Sequence, residues 1–108
     1  MDTITKEELL EKIRNEEAFH ILDVRDTPDY RREHITGAVH LLIAEMTREK
    51  VEGMFGSADL IVTYSLDRNC PAKNIAAEKL REYGFVNVRA YQGSWKEWKE
   101  SGYPVESG

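Results

Sequence analysis

The sequence predicts an α/β fold, a central parallel sheet with helices on both of its faces. Short segments that are apolar on both sides, such as AFHILDV (18–24) and LIVTY (60–64), alternate with longer segments of helical spacing. The joints between them carry helix start and stop signals. With 108 residues, 41% of them hydrophobic, the chain fits one compact core, so residues 1–108 are expected to form one domain.

Thr5 followed by Glu8 has the spacing of a capping box, and Leu9, Leu10 and Ile13 form one apolar stripe, which predicts a helix over 5–16. A strand follows over 18–24. Thr27 before Pro28 marks a short helix to Glu33, because proline suits the first helical position, and Gly37 closes the segment HITG. AVHLLI (38–43) reads as a strand and AEMTREKVEGMF (44–55) as a helix, with Met46, Val51, Met54 and Phe55 at helical spacing. LIVTY is the most β-prone stretch and the expected central strand. Pro71 opens a helix on which Ala72, Ile75, Ala76, Leu80 and Tyr83 share a face, and Gly84 with Phe85 reads as its glycine C-cap. VNVRAY (86–91) is a further strand. GSWKEWKESG (93–102) is a last helix capped by Ser94, with Trp95 and Trp98 as packing residues. No repeat, linker or low-complexity tract interrupts the order.

Fifteen basic and 20 acidic residues give a net charge of −5, which argues against nucleic acid as a partner, since that affinity rests on Lys and Arg neutralising phosphates. A single cysteine excludes an internal disulfide and points to a reducing, cytoplasmic setting. The charged start is no signal peptide, and no run reaches the ~18 apolar residues of a membrane span. His20, His34 and His40 fall on different segments at no ligand spacing, so no metal and no cofactor are expected.

In parallel sheets ligands sit at the carboxyl ends of the strands. DVRD, SLDRNCP and QGSW occupy such places, and the middle one enters a helix, where backbone N–H groups and the helix dipole hold an anion. Leu66, Asp67, Arg68, Asn69 and Cys70 are therefore the expected substrate-binding residues, with Ser65 where the strand stops. Ser65 lacks the flanking glycines of a hydrolase elbow and reads as a neutral hydroxyl. Cys70, just before Pro71 and near Arg68 and Lys73, reads either as a reactive thiol favoured by helix N–H groups or as a small half-buried residue at a helix start. Arg68 reads evenly as an anion ligand or a solvated charge. A phosphatase loop, Cys then five residues then Arg, is not met, since the sixth residue after Ser65 is Pro71.

ILDVRDTPDYRREHITGAVHL, the strand ending in tyrosine before the loop, AAEKL, the pair Gly93 and Trp98, and GYPVE together resemble the rhodanese homology domain, sulfurtransferases that move sulfane sulfur through a cysteine persulfide. The resemblance spans nearly the whole chain and implies a rhodanese-like fold with a small anionic sulfur donor, such as thiosulfate, or a persulfide-carrying protein as partner. It also places the nucleophilic cysteine at residue 65, where this chain has serine, and a glycine at residue 92, where it has glutamine. Cys70 matches a second cysteine found in some relatives' loops. Asp23 and Arg25, with Asp29 or Glu33, are implied as braces of the site. Because a thiolate forms the persulfide, at a thiol pKa of about 8.5 or lower, a serine hydroxyl cannot carry the transferable sulfur. A natural loss of activity and a deliberate exchange of cysteine for serine both fit. The alternatives are an anion- or partner-binding regulatory module and sulfur or redox chemistry at Cys70.

Overall fold

The computed structural model describes residues 2–66 and 69–108. Five parallel strands form the sheet in the order β1 (Thr3–Ile4), β6 (Val88–Tyr91), β5 (Ile61–Tyr64), β2 (His20–Asp23), β4 (Ala38–His40). The expected central strand, β5, lies in the middle, paired with β6 through Ile61↔Val88 and with β2 through Asp23↔Tyr64. All four of its residues are buried, as a strand covered on two faces must be.

Alternation along the strands splits the core in two. Leu22 and Ile61 face a layer with Val51, Ala76, Ala77 and Leu80, built on α3 (Arg48–Met54) and α4 (Ala72–Glu82). Ile21, Val62 and Tyr64 face Leu9, Leu10, Trp95 and Trp98, from α1 (Lys6–Arg14) and α5 (Trp95–Glu100). Helices thus cover both faces. Among the described residues, no helix is long and apolar enough to cross a membrane.

Local chemistry explains most element ends. The Thr5 hydroxyl accepts from the Glu8 N–H, and Glu8 returns a bond to the Thr5 N–H, so the capping box is complete. The Ser94 hydroxyl caps α5 through the Glu97 N–H. After α4, Gly84 takes φ +99°, its N–H bonds Arg81 O, and the Phe85 N–H bonds Leu80 O, the paired bonds of a Schellman end.

Several expectations are corrected. The segment 38–43 is extended only over Ala38–His40; a 3-10 turn follows over Ile43–Glu45, and Thr47 starts α3 by accepting from the Lys50 N–H. One helix over 44–55 is therefore two shorter pieces. Helix α2 (Thr27–Arg32) is preceded by Asp26, not Thr27, at its N-cap. On α4 the buried face is Lys73, Ala76, Ala77 and Leu80, while Ile75 is 43% exposed. Three two-residue strands were not anticipated: β1, and the antiparallel pair β3 (His34–Ile35) and β7 (Val105–Glu106).

Candidate functional site

The carboxyl ends of β2, β5 and β6 lie side by side, and the residues just beyond them build a crevice on the sheet. After β2 the chain turns at Arg25, whose side chain folds back on its own strand. Its Nη2 donates to Asp23 at 2.8 Å and to the Glu33 carbonyl at 2.6 Å, and its Nε lies 3.1 Å from the same carboxylate. The guanidinium lies 4.3 Å from the centre of the Trp95 ring and 5.6 Å from that of Tyr64. The Tyr64 hydroxyl donates to Asp23 at 2.5 Å and accepts from the Ile35 N–H at 3.2 Å.

Asp23 is fully buried and Arg25 is 5% exposed. A buried ion pair persists only when its remaining donors and acceptors are satisfied, and here Tyr64, Glu33 and two ring faces supply that. Burial opposes the charge on Arg25, yet the bonds and charge of Asp23 outweigh it and hold the guanidinium more firmly protonated than usual. Burial, then the Asp23 charge, drive the Tyr64 hydroxyl well above its ordinary value, so it stays neutral. These groups fix one wall of the site, and the bonds of Arg25 turn it inward to Asp23 and Glu33. His40 adds to the wall by donating from Nε2 to the Arg25 carbonyl at 2.7 Å.

The second wall is the loop after β5. Ser65 is 1% exposed; its Oγ donates to the Cys70 carbonyl at 3.4 Å, and its own carbonyl accepts from the Trp95 N–H at 3.3 Å. Among the described residues no base bonds this hydroxyl. Cys70 is half-buried and one position short of the N-cap, which is Pro71, so the thiol precedes the helix rather than capping it. Leu66 is 49% exposed and Asn69 lies in an exposed turn. Asp67 and Arg68 lie outside the described residues. A cavity of about 220 Å³ separates the walls, with Ser65, Leu66 and Cys70 on one side and Arg25, Asp26 and Asp29 on the other.

Below the loop, Lys73 is 4% exposed and its Nζ donates to the Gly93 carbonyl at 2.8 Å, while its own carbonyl accepts from Thr63 Oγ1 at 2.8 Å. Lys73 thereby ties α4 to β5 and to the loop after β6. Its place three and seven residues before Ala76 and Leu80, on the apolar stripe, was the available signal. Gly93 is required sterically: a Cβ there would lie 2.6 Å from the Tyr91 hydroxyl. Trp95 and Trp98 are both buried.

The other two histidines are engaged elsewhere. His34 Nδ1 donates to the Tyr30 carbonyl at 2.8 Å, and His20 pairs with Asp59. Among the described residues no group of three or more metal-ligating side chains converges.

Residues 5–101 match the family described as Rhodanese-like domain. The chain is 32% identical over 99% of its length to an HTH-type transcriptional regulator of Mycobacterium tuberculosis, covering 46% of that protein. It is 27% identical over 88% of its length to a putative sulfur carrier protein of Bacillus subtilis, covering 49% of it. The chain thus spans about half the length of these relatives. It is 25% identical over 82% of its length to a thiosulfate sulfurtransferase of Vibrio cholerae, covering 79% of that protein. Among solved structures, the rhodanese-like domain of an Anabaena protein superposes with a TM-score of 0.86 at 27% identity, covering all of this chain and 80% of that one.

Proposed function

Since the chain belongs to the rhodanese-like domain family, we propose that it is a sulfurtransferase-type domain that receives a sulfane-sulfur donor at the 65–70 loop but forms no persulfide at residue 65. The observation that carries this reading is the buried Ser65 Oγ at the head of the loop, hydrogen-bonded to a carbonyl and, among the described residues, bonded to no base. In the family's reaction a thiolate attacks the outer sulfur of thiosulfate, the S–S bond breaks, and sulfite leaves with the electron pair. Serine, protonated at neutral pH, supplies no thiolate and holds no transferable sulfur. What remains is a donor- or partner-binding module on an intact scaffold, in which Asp23, Arg25 and Tyr64 brace the loop. Leu66, Asp67, Arg68, Asn69 and Cys70 form its binding edge. The lone cysteine favours a cytoplasmic setting.

The test is Ser65→Cys. The reading expects the variant to gain one sulfur atom, about 32 Da, from thiosulfate, removable by reductant and mapped to residue 65, and to pass it to cyanide as thiocyanate. The unaltered chain should gain none. A folded Ser65→Cys protein that takes up no sulfur overturns the reading. A gain on the unaltered chain that Cys70→Ser abolishes would move the chemistry to Cys70.

A further inference from the structure

GYPVE (102–106) lines neither wall of the crevice, yet each residue from Tyr103 on is tied to the body of the domain. The Tyr103 ring meets Trp98 edge-on at 5.1 Å, and the Pro104 carbonyl accepts from Trp98 Nε1 at 2.8 Å and from the Thr36 N–H at 3.3 Å. Val105 pairs with Ile35 across the two-stranded sheet. Glu106 Oε1 accepts from the Gly37 N–H at 2.8 Å and lies 3.5 Å from His34 Nε2. The segment thus clamps β3 and the turn after it.

From β3, two chains of contact lead to Arg25. The Ile35 N–H donates to the Tyr64 hydroxyl, which donates to Asp23, and Asp23 holds the Arg25 guanidinium. His34 Nδ1 donates to the Tyr30 carbonyl, and its ring stacks on Tyr30 at 3.9 Å between centroids. The Tyr30 ring lies in turn 4.9 Å from that of His40, whose Nε2 donates to the Arg25 carbonyl. One chain ends on the side chain of Arg25 and the other on its backbone. Packed and hydrogen-bonded chains of this kind carry coupling between distant groups. We propose that Glu106 is a positioning residue for the site: its bond to the Gly37 N–H fixes β3, and β3 fixes Arg25, which borders the cavity at Ser65. That this cavity receives a sulfur donor rests on the proposed function; the coupling of Glu106 to Arg25 does not.

The readout is hydrogen exchange by NMR at the Arg25 Nε–H, a buried proton facing the Asp23 carboxylate, compared with that of the Val62 amide in the middle of β5. Glu106 is 48% exposed, so its substitution leaves the fold in place. Glu106→Ala should speed exchange at the Arg25 Nε–H and the Ile35 amide about fivefold relative to Val62, the size of one net hydrogen bond. Glu106→Gln keeps an oxygen for the Gly37 N–H and should stay within about twofold of the parent, since an exposed ion pair is worth little. A merely structural role would speed all three protons together, and that result overturns the proposal. So does an unchanged Arg25 Nε–H, or a Glu106→Gln protein that behaves like Glu106→Ala. Sulfur uptake by Ser65→Cys with no effect of Glu106 on Arg25 sinks the positioning alone, and an effect without uptake sinks the sulfur reading alone.

Discussion

Tyr64→Phe removes one oxygen atom from the protein and tests whether the buried wall of the site also holds the fold. That oxygen donates to the Asp23 carboxylate at 2.5 Å and accepts from the Ile35 N–H at 3.2 Å. A hydrogen bond to a charged group is worth about 1.5–3 kcal/mol, and a buried N–H left without its acceptor costs about 1–3 kcal/mol. Because Asp23 keeps Arg25, the two losses do not add in full, and about 3 kcal/mol is expected. At ~4 °C per kcal/mol, the lower end for a domain near 100 residues, the melting temperature should fall by about 12 °C. Urea titration is the assay, with the midpoint lowered and the slope unchanged. Tyr30→Phe is the control: its hydroxyl donates to the Ala38 carbonyl from a half-buried position, and about 1 kcal/mol is expected there. pH adds a second arm. The folded Tyr64 hydroxyl keeps its proton at pH values where the unfolded one, near pKa 10, has lost it, so its contribution is complete below about pH 10 and is lost as the pH rises further. The gap between the parent and Tyr64→Phe should therefore narrow above about pH 10. A loss under about 1 kcal/mol, or one no larger than that of Tyr30→Phe, would refute the reasoning.

The remaining predictions concern packing and backbone. Gly93→Ala forces a Cβ to within 2.6 Å of the Tyr91 hydroxyl and should cost about 1–3 kcal/mol by chemical denaturation; adding Tyr91→Phe should recover part of it. Gly84→Ala places a side chain at φ +99° with open space around it, so the expected loss, about 1–2 kcal/mol by thermal melting, is one of backbone strain alone. Leu80→Ala should cost about 2–5 kcal/mol and Ile75→Ala less than about 1, which separates the observed buried face of α4 from the one that includes Ile75.

Much of this architecture is readable from local chemistry. The capping box at Thr5 and Glu8, the Ser94 cap and the Gly84 turn are each set by a few neighbouring residues, and β5 by four consecutive buried ones. What escaped reading depends on contacts far along the chain. Two-residue strands have no periodicity; β1 exists because β6 lies beside it, and β3 because residues 105–106 return to it. Lys73 reads in the sequence only as a charge near Cys70, and its bond to Gly93, 20 residues on, is set by the fold. In the site, Ser65, Cys70, Asp23 and Arg25 stood out by type and position, but Tyr64 and His40 as braces did not, because their partners are fixed only by strand register.

The order of the strands also bears on how the protein meets its neighbours in a crowded solution. A sheet ends in rows of unpaired N–H and C=O groups, which invite another chain to add on. Here the outermost strands are two and three residues long, while the four-residue strands β2, β5 and β6 lie inside. An incoming strand would find too few groups to grip at either end. The same arrangement that sets Ser65 at the centre of the sheet therefore leaves little from which a fibril could grow.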